Sequence, residues 1–411
     1  MTGQTPDLAL ADFFDANPMR RIGVAVSGGG DSLALLYLLA DWAKTRSVDV
    51  YVATVDHGLR PEAPQEAIDV GLHCAHLGFP HETVIWRDWD HQGNLQAEAR
   101  AARYRLLGEW GRRHILDVIL LGHTQDDQAE TFLLRLARRA GVDGLSSMNA
   151  LFHRDNQAFG RPLLSVSRQS LREFLLQKGI SWVDDPSNED PQFDRVRARQ
   201  TLQHLKTLGI EPASLADVSA NMRDARTALE AQVKTVADAH AQMDRGDLSM
   251  PLALLSSEPL EIQRRLLVAG LNWVSGAAFP PRREAVARLL QNLATGTDST
   301  LSGCLVTSAK GQIRITREYK AVEDLTSSTQ VWDRWQLEGP WQTGMHIRAL
   351  GEEGLRFLED WRTSGMPRVS LLASPSVWYD STLIAAPMAG FGAGWTANLL
   401  PEQANFLSMA Q

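Results

Sequence analysis

The sequence has little cysteine, little lysine and no long apolar run, and each shortage removes a class of protein. Only Cys74 and Cys304 occur in 411 residues, far apart and without a second Cys or His at ligand spacing. They form neither a CxxC redox pair nor a zinc site, so they are expected as inert buried thiols in a reducing compartment. No apolar stretch approaches the roughly 18 residues that a membrane helix needs. The start, MTGQTPDLALADFFDANPMRR, lacks a cationic segment followed by an apolar core. A cytoplasmic protein with no membrane partner is expected. Basic charge is also short: 41 Lys+Arg face 49 Asp+Glu, giving −8 with a pI near 5.8. Residues 1–210 hold 23 basic against 27 acidic side chains and the rest 18 against 22, so there is no basic tail. That balance argues against holding nucleic acid through overall positive charge.

What is present is ordinary for a chain with a core: 44% hydrophobic and 22% charged residues. At about 150 residues per domain the length allows two to three domains. From Arg21 short apolar runs (22–26, 50–55, 83–86, 118–121) alternate with helical patterns (33–43, 66–77, 95–113, 126–139). The alternation predicts βαβ units, hence a Rossmann-like parallel sheet with helices on both faces. After about residue 210 the texture becomes amphipathic and helical, through 215–243, 260–274 and 284–293. GCLVTSAKGQIRITREYK predicts a β-hairpin turning at Lys310-Gly311, and EDLTSSTQ (323–330) a polar linker. The expected domains are 1–210, a catalytic sheet domain, then 211–325, mostly helical, and 330–411, a small β-rich module whose tryptophans 332, 335, 341, 361 and 378 are core.

VAVSGGGDSLALL (24–36) ends a strand, turns through glycines and opens a helix at Asp31-Ser32. Glycine amides and a positive helix end together favour an anion, so phosphate is the expected ligand. The Walker lysine is missing, since no Gly-Lys dipeptide occurs, and GxGxxG fails after Gly30. Asp31 beside a polyphosphate requires a bridging cation, which implies Mg2+. The second run ends in Asp56-His57-Gly58, at the sheet edge where a ligand would sit, either as the adenosine contact or as a plain turn. The fourth leads into LGHTQDDQAETFLLRLARR, where Asp126, Asp127 and Glu130 share one side of a helix start. They suit a cation or an ammonium group, although macrodipole pairing would also place acids there. His123 is either a phosphate donor or a loop histidine.

SGGGDS closely resembles the SGGxDS signature of the N-type ATP pyrophosphatases, or PP-loop enzymes. VDHGLRPEA, NLQAEARAARYRLL, GHTQDDQAETFLLRLARRAGVDGLSSM, RPLLSVSRQSLREFL and SWVDDPSNEDPQFDRVRAR, in that order over residues 20–200, resemble the tRNA(Ile)-lysidine synthetase family. The resemblance implies a ligase that adenylates the 2-keto oxygen of the wobble cytidine in an isoleucine tRNA with a CAU anticodon. Free lysine then displaces AMP through its ε-amine. It also implies that Ser27, Gly28, Gly29, Gly30, Asp31, Ser32, Asp56, His57 and His123 hold ATP, that Asp31 carries Mg2+, and that Asp127 and Glu130 bind lysine. Arg195 would position the activated intermediate. The family pattern is nearer F-x-R-N-x-x-R and this chain has Val196 at the Asn position, so Arg195, Arg197 and Arg199 stay in contention.

A PP-loop thiolase would need paired cysteines, an amidating synthetase an ammonia source, and a non-catalytic RNA-binding protein would not need the acids. RNA contact calls for local arginines. Candidates are Arg100, Arg103, Arg105, Arg112 and Arg113, then Arg135, Arg138 and Arg139, and in the second half Arg264, Arg265, Arg282, Arg283 and Arg288. The 35 Arg against 6 Lys reflect either phosphate recognition or genome composition. Oligomeric state is not set by the sequence, which is compatible with a homodimer.

Overall fold

The computed structural model describes residues 4–59, 61–87, 89, 95–183, 192, 194–277, 279–401 and 406. The chain divides into two compact units, residues 1–226 and 227–411. The first runs α1 (Pro6–Ala16), β1 (Arg21–Ala25), α2 (Gly30–Ala43), β2 (Asp49–Asp56), α3 (Ala63–Leu77), β3 (His81–Ile85), α4 (Leu95–Arg113), β4 (Val118–Leu121) and α5 (Gln125–Ala137). It continues through a helical turn α6 (Val142–Leu145), β5 (Leu151–Arg154), β6 (Gln157–Gly160), α7 (Arg168–Gln177) and α8 (Asp194–Leu205), and ends in the first part of α9 (Pro212–His240).

Six strands form one sheet in the order β3-β2-β1-β4-β6-β5, parallel except at β5. All four residues of β4 are buried, because helices cover both faces of the sheet. On one face Ile22, Val24, Leu33, Leu36 and Val52 pack together; on the other, Ala53, Tyr104, Trp110, Ile119 and Phe159 do. Strand order reverses between β1 and β4, and the loops that follow those two strands flank that switch point.

Helix α1 and the hairpin β5–β6 are among the elements not expected from the sequence. Helix α1 buries Leu10, Phe13 and Phe14 on the sheet, each worth about 1.5–3 kcal/mol of transfer free energy. The edge hairpin β5–β6 turns at Asp155 and Asn156, both at positive φ (50° and 60°), the twist that a two-residue hairpin demands.

The second unit starts with the rest of α9 and a five-stranded antiparallel sheet packed with helices, so residues 211–325 are less purely helical than their pattern suggests. The sheet has the order β7 (Gln242–Asp244), β8 (Asp247–Pro251), β11 (Gln312–Arg317), β10 (Cys304–Ala309), β9 (Ser299–Leu301). Strands β10 and β11 form the hairpin expected around Lys310-Gly311, with φ of 51° and 74° there. The helical turn α10 (Leu254–Ser257), α11 (Leu260–Ser275) and α12 (Arg283–Ala294) share its core through Leu254, Trp273, Val286 and Ile315. Thr326 and Ser327, inside the expected linker, pair with Arg348 and Ile347. The last part folds as a four-stranded and a three-stranded sheet around Trp332, Trp335, Trp378 and Trp395, with Trp341 and Trp361 half-buried against them. Cys74 and Cys304 are fully buried, and burial pushes each thiol up to about 12. Among the described residues no helix is long and apolar enough to cross a membrane.

Candidate active site

Two loops at the carboxyl ends of adjacent strands build the site. After β1 the chain turns through Ser27–Gly30 into α2, and Gly28 takes φ +84°, which a side chain would strain. The Ser32 hydroxyl accepts from the Ser27 amide at 3.1 Å and donates to the Gly29 carbonyl at 2.9 Å. That holds the loop in shape and leaves the first amides of α2 without intrahelical partners, the arrangement that favours an anion. Trp182 is half-buried, packed against the core and beside the loop; a Cβ on Gly30 would come within 3.2 Å of its ring. The β4–α5 turn comes so close that a Cβ on Gly122 would meet the Asp31 carbonyl oxygen at 2.9 Å.

Beside Ser27 lies a cavity of about 350 Å³ walled by Val26, Ala53, Val55, Leu59, Leu95 and Ala99, with Thr54, His57, Glu66 and Arg103 among its polar members. Such walls suit a flat, largely apolar ring system with a few polar handles. Asp56 does not face it as a free acid, because its carboxylate caps the turn by accepting from the Gly58 amide at 2.8 Å. The His57 ring meets Trp86 edge-on and its Nδ1 is buried without a partner among the described residues. Burial, then Arg103, keeps that imidazole below its ordinary pKa. A larger cleft of about 1050 Å³, lined by Phe14, Arg20, Trp42 and Asp117, lies at the opposite ends of the strands, away from the side where such sheets bind ligands.

The acids converge at the start of α5. Asp127 forms a capping box with Thr124, its Oδ2 accepting from the Thr124 amide (2.8 Å) and hydroxyl (2.9 Å). Its Oδ1 faces Arg168 at 3.3 Å and Arg195 at 3.8 Å. Glu130, only 1% exposed, shares Oε1 between Arg199 (3.0 Å) and Arg168 (3.5 Å), while Oε2 is buried with no partner among the described residues. Asp126 is set apart, since its carboxylate accepts from the Arg168 amide at 2.7 Å and so anchors α7. Asp31 pairs with Arg168 Nε at 3.0 Å. Burial nonetheless outweighs that guanidinium and raises the Asp31 carboxyl to about 6.

The structure therefore brings Asp31, Asp127, Glu130 and Arg195 together, with Arg199 on Glu130, whereas Arg197 turns to Asp194 and the Gln192 carbonyl. Val196, where the family pattern has Asn, is buried in the core. The acids of the segment before α8, Asp184, Asp185 and Asp190, lie outside the described residues. Sequence reasoning missed two cations. Arg168 touches all three acids, and Arg161, buried at the end of β6, donates from Nε to His123 Nδ1 at 3.2 Å. That bond leaves the His123 proton on Nε2 as a donor, and burial pushes the ring down to about 3, so it is neutral. Arg103 lies near Arg161, Arg100 and Arg195; burial first, then that crowding, presses its ionisation below the usual arginine range.

A PP-loop domain model matches residues 5–205. The tRNA(Ile)-lysidine synthase of Ruegeria pomeroyi is 47% identical over 395 residues, 96% of this chain and 94% of that one. The synthase of Wolbachia pipientis is 31% identical over 89% of this chain and 88% of its own length. Among solved structures, the U34-tRNA thiolase NcsA of Methanococcus maripaludis aligns with a TM-score of 0.46 at 16% identity, over 53% of this chain and 76% of that one. Identity of this order, sustained along nearly the whole of both chains and joined to a glycine loop facing a buried acid pair, means that the chain belongs to the tRNA(Ile)-lysidine synthase family.

Proposed function

We propose that the glycine loop and the acidic helix start divide one reaction between them. The protein is an ATP-dependent ligase that modifies tRNA by forming lysidine. Ser27–Ser32 hold the phosphates, the 350 Å³ cavity takes the adenosine, and His57 Nδ1 offers it a hydrogen-bonding atom. The crowded guanidiniums of Arg103 and Arg161 and the Nε2–H of neutral His123 supply fixed positive charge and a donor for an anion. The 2-keto oxygen of the wobble cytidine, in an isoleucine tRNA with a CAU anticodon, attacks the α-phosphorus and pyrophosphate leaves. The ε-amine of lysine then attacks carbon 2 and AMP departs with the former keto oxygen.

Among the described residues no group of three or more His, Cys, Asp or Glu is arranged to hold a metal ion. Asp31 fits Mg2+ as a single hard oxygen ligand with phosphate oxygens as the others, the usual way this ion is held. When bound, the ion offsets charge on the departing pyrophosphate. Lysine belongs at Asp127 and Glu130, whose oxygens match an ammonium group, and a carboxylate there accepts the proton that the attacking amine must lose. The observation carrying this assignment is Glu130 Oε2, a carboxylate oxygen fully buried with no hydrogen-bond partner among the described residues. Leaving it unmatched costs about 1–3 kcal/mol or more, which a bound cation would recover. Arg195, 3.8 Å from Asp127 Oδ1, is assigned to positioning the adenylated cytidine. Substrates of this kind agree with a cytoplasmic setting.

Incubation with Mg2+, ATP, labelled lysine and a CAU-bearing isoleucine tRNA transcript should give label in the tRNA and one AMP per lysine joined. Normal ATP binding with no lysine incorporation would overturn the proposal.

A further inference from the structure

Arg168 is the first residue of α7, after the N-cap Ser167, and its main chain is pinned by the 2.7 Å bond from its amide to Asp126. Only its side chain is free to move far. That guanidinium lies 3.0 Å from Asp31, 3.3 Å from Asp127 and 3.5 Å from Glu130, so one cation spans the nucleotide acid and both acids assigned to lysine. Charge-assisted bonds are usually 2.7–2.9 Å. The two contacts on the lysine side are therefore the loose ones, and the Asp31 contact is the tighter.

We infer that Arg168 is a positioning residue that occupies the amino-acid site until nucleotide is bound, which makes lysine binding depend on ATP. The inference rests on the assignment of Asp127 and Glu130 to lysine. An ammonium approaching Asp127 Oδ1 and Glu130 Oε2 meets a guanidinium already on Asp127 Oδ1 and on the neighbouring Oε1 of Glu130, and like charges at that range repel. A polyphosphate arriving beside Asp31 gives Arg168 a partner of higher charge within reach of its Nε, and planar guanidiniums pair with phosphate in two-pronged fashion. The side chain then turns toward the phosphates and withdraws one of the positive charges on Asp127 and Glu130, where Arg195 and Arg199 remain, so the amine meets less repulsion there. The effect is a sequence of binding, nucleotide before lysine, so a free amine is not seated before the nucleotide that activates the tRNA.

The test measures labelled-lysine binding at equilibrium with and without Mg2+ and α,β-methylene ATP, which cannot be split between its first two phosphates. Wild type should bind lysine on the order of ten-fold more tightly with the analogue, and by linkage lysine should tighten the analogue by the same factor. In Arg168→Gln the two lysine affinities should agree within about two-fold, chiefly because lysine binds better without nucleotide. Each ratio is taken within one folded sample, so a general loss of stability does not imitate the result. Should Arg168→Gln not fold, Arg168→Lys serves: a point charge cannot span three carboxylates, and the ratio should fall below wild type. Equal lysine affinity with and without analogue in wild type, or an undiminished ratio in either variant, overturns the inference. Lysine binding that Glu130→Gln leaves untouched overturns the lysine-site assignment itself, and the inference with it.

Discussion

Asp31 is pulled two ways, since burial favours its neutral acid and Arg168 favours the carboxylate, with burial the stronger and the pKa about 6. A carboxyl raised in the fold above its unfolded value of 3.8 loses stability for the fold as pH rises through that interval, and the cost persists at neutral pH. Asp31→Asn should therefore abolish AMP formation yet stabilise the protein by on the order of 1–3 kcal/mol at neutral pH, a gain that thermal melts should find vanishing in acid. In wild type, kcat/KM for ATP should fall below pH about 6 along a one-proton limb, as Asp31 becomes protonated. Asp31 and Glu130 could be read from their own neighbours in sequence. Arg168 could not: it lies 137 residues from Asp31, and an arginine after serine at a helix start carries no local mark of three ion pairs. The only available signal was its place in RPLLSVSRQSLREFL, a segment that fixed a likeness rather than a role.

At the level of elements, the site depends on α2 and α5 beginning side by side. A methyl group on Gly122 would meet backbone, the Asp31 carbonyl and the Ser32 Cα at 2.9–3.0 Å, which cannot rotate away. Gly122→Ala should thus push the start of α2 outward, raise KM for ATP and cost about 1–3 kcal/mol in denaturant melts. Thr124→Ala removes the hydroxyl half of the capping box, worth about 1 kcal/mol in thermal melts, and leaves Asp127 Oδ2 held by the residue 124 amide alone. Strands β1, β2 and β4 were legible because burial on both faces leaves continuous apolar runs. Helix α1 was hidden because its apolar residues adjoin polar ones without a long periodic stretch. The hairpin β5–β6 was hidden because its strands are four residues each and its turn is Asp-Asn rather than a glycine pair.

For the whole molecule, a charge of −8 means that tRNA must meet local patches. Several candidate arginines are committed elsewhere: Arg135 donates to the Gly144 and Ser147 carbonyls, Arg113 pairs with Glu82, and Arg264 and Arg265 pair with Glu261. Arg282, Arg283 and Arg288 on and beside α12 are exposed and have no acidic partner among the described residues. Arg282→Glu with Arg283→Glu should weaken tRNA binding and flatten its salt dependence by about two log units per log unit of salt, leaving ATP binding unchanged. The domain limits read at 210 and 330 came from texture; the compact units part at 226, within the helical stretch after residue 210. The central claim, one loop for adenylation and one acid pair for lysine, is tested most directly in a single turnover with α-phosphate-labelled ATP and lysine. Glu130→Gln should accumulate adenylated tRNA with little lysidine, while Asp31→Asn forms neither. Equal loss of adenylation and ligation in Glu130→Gln would contradict the account.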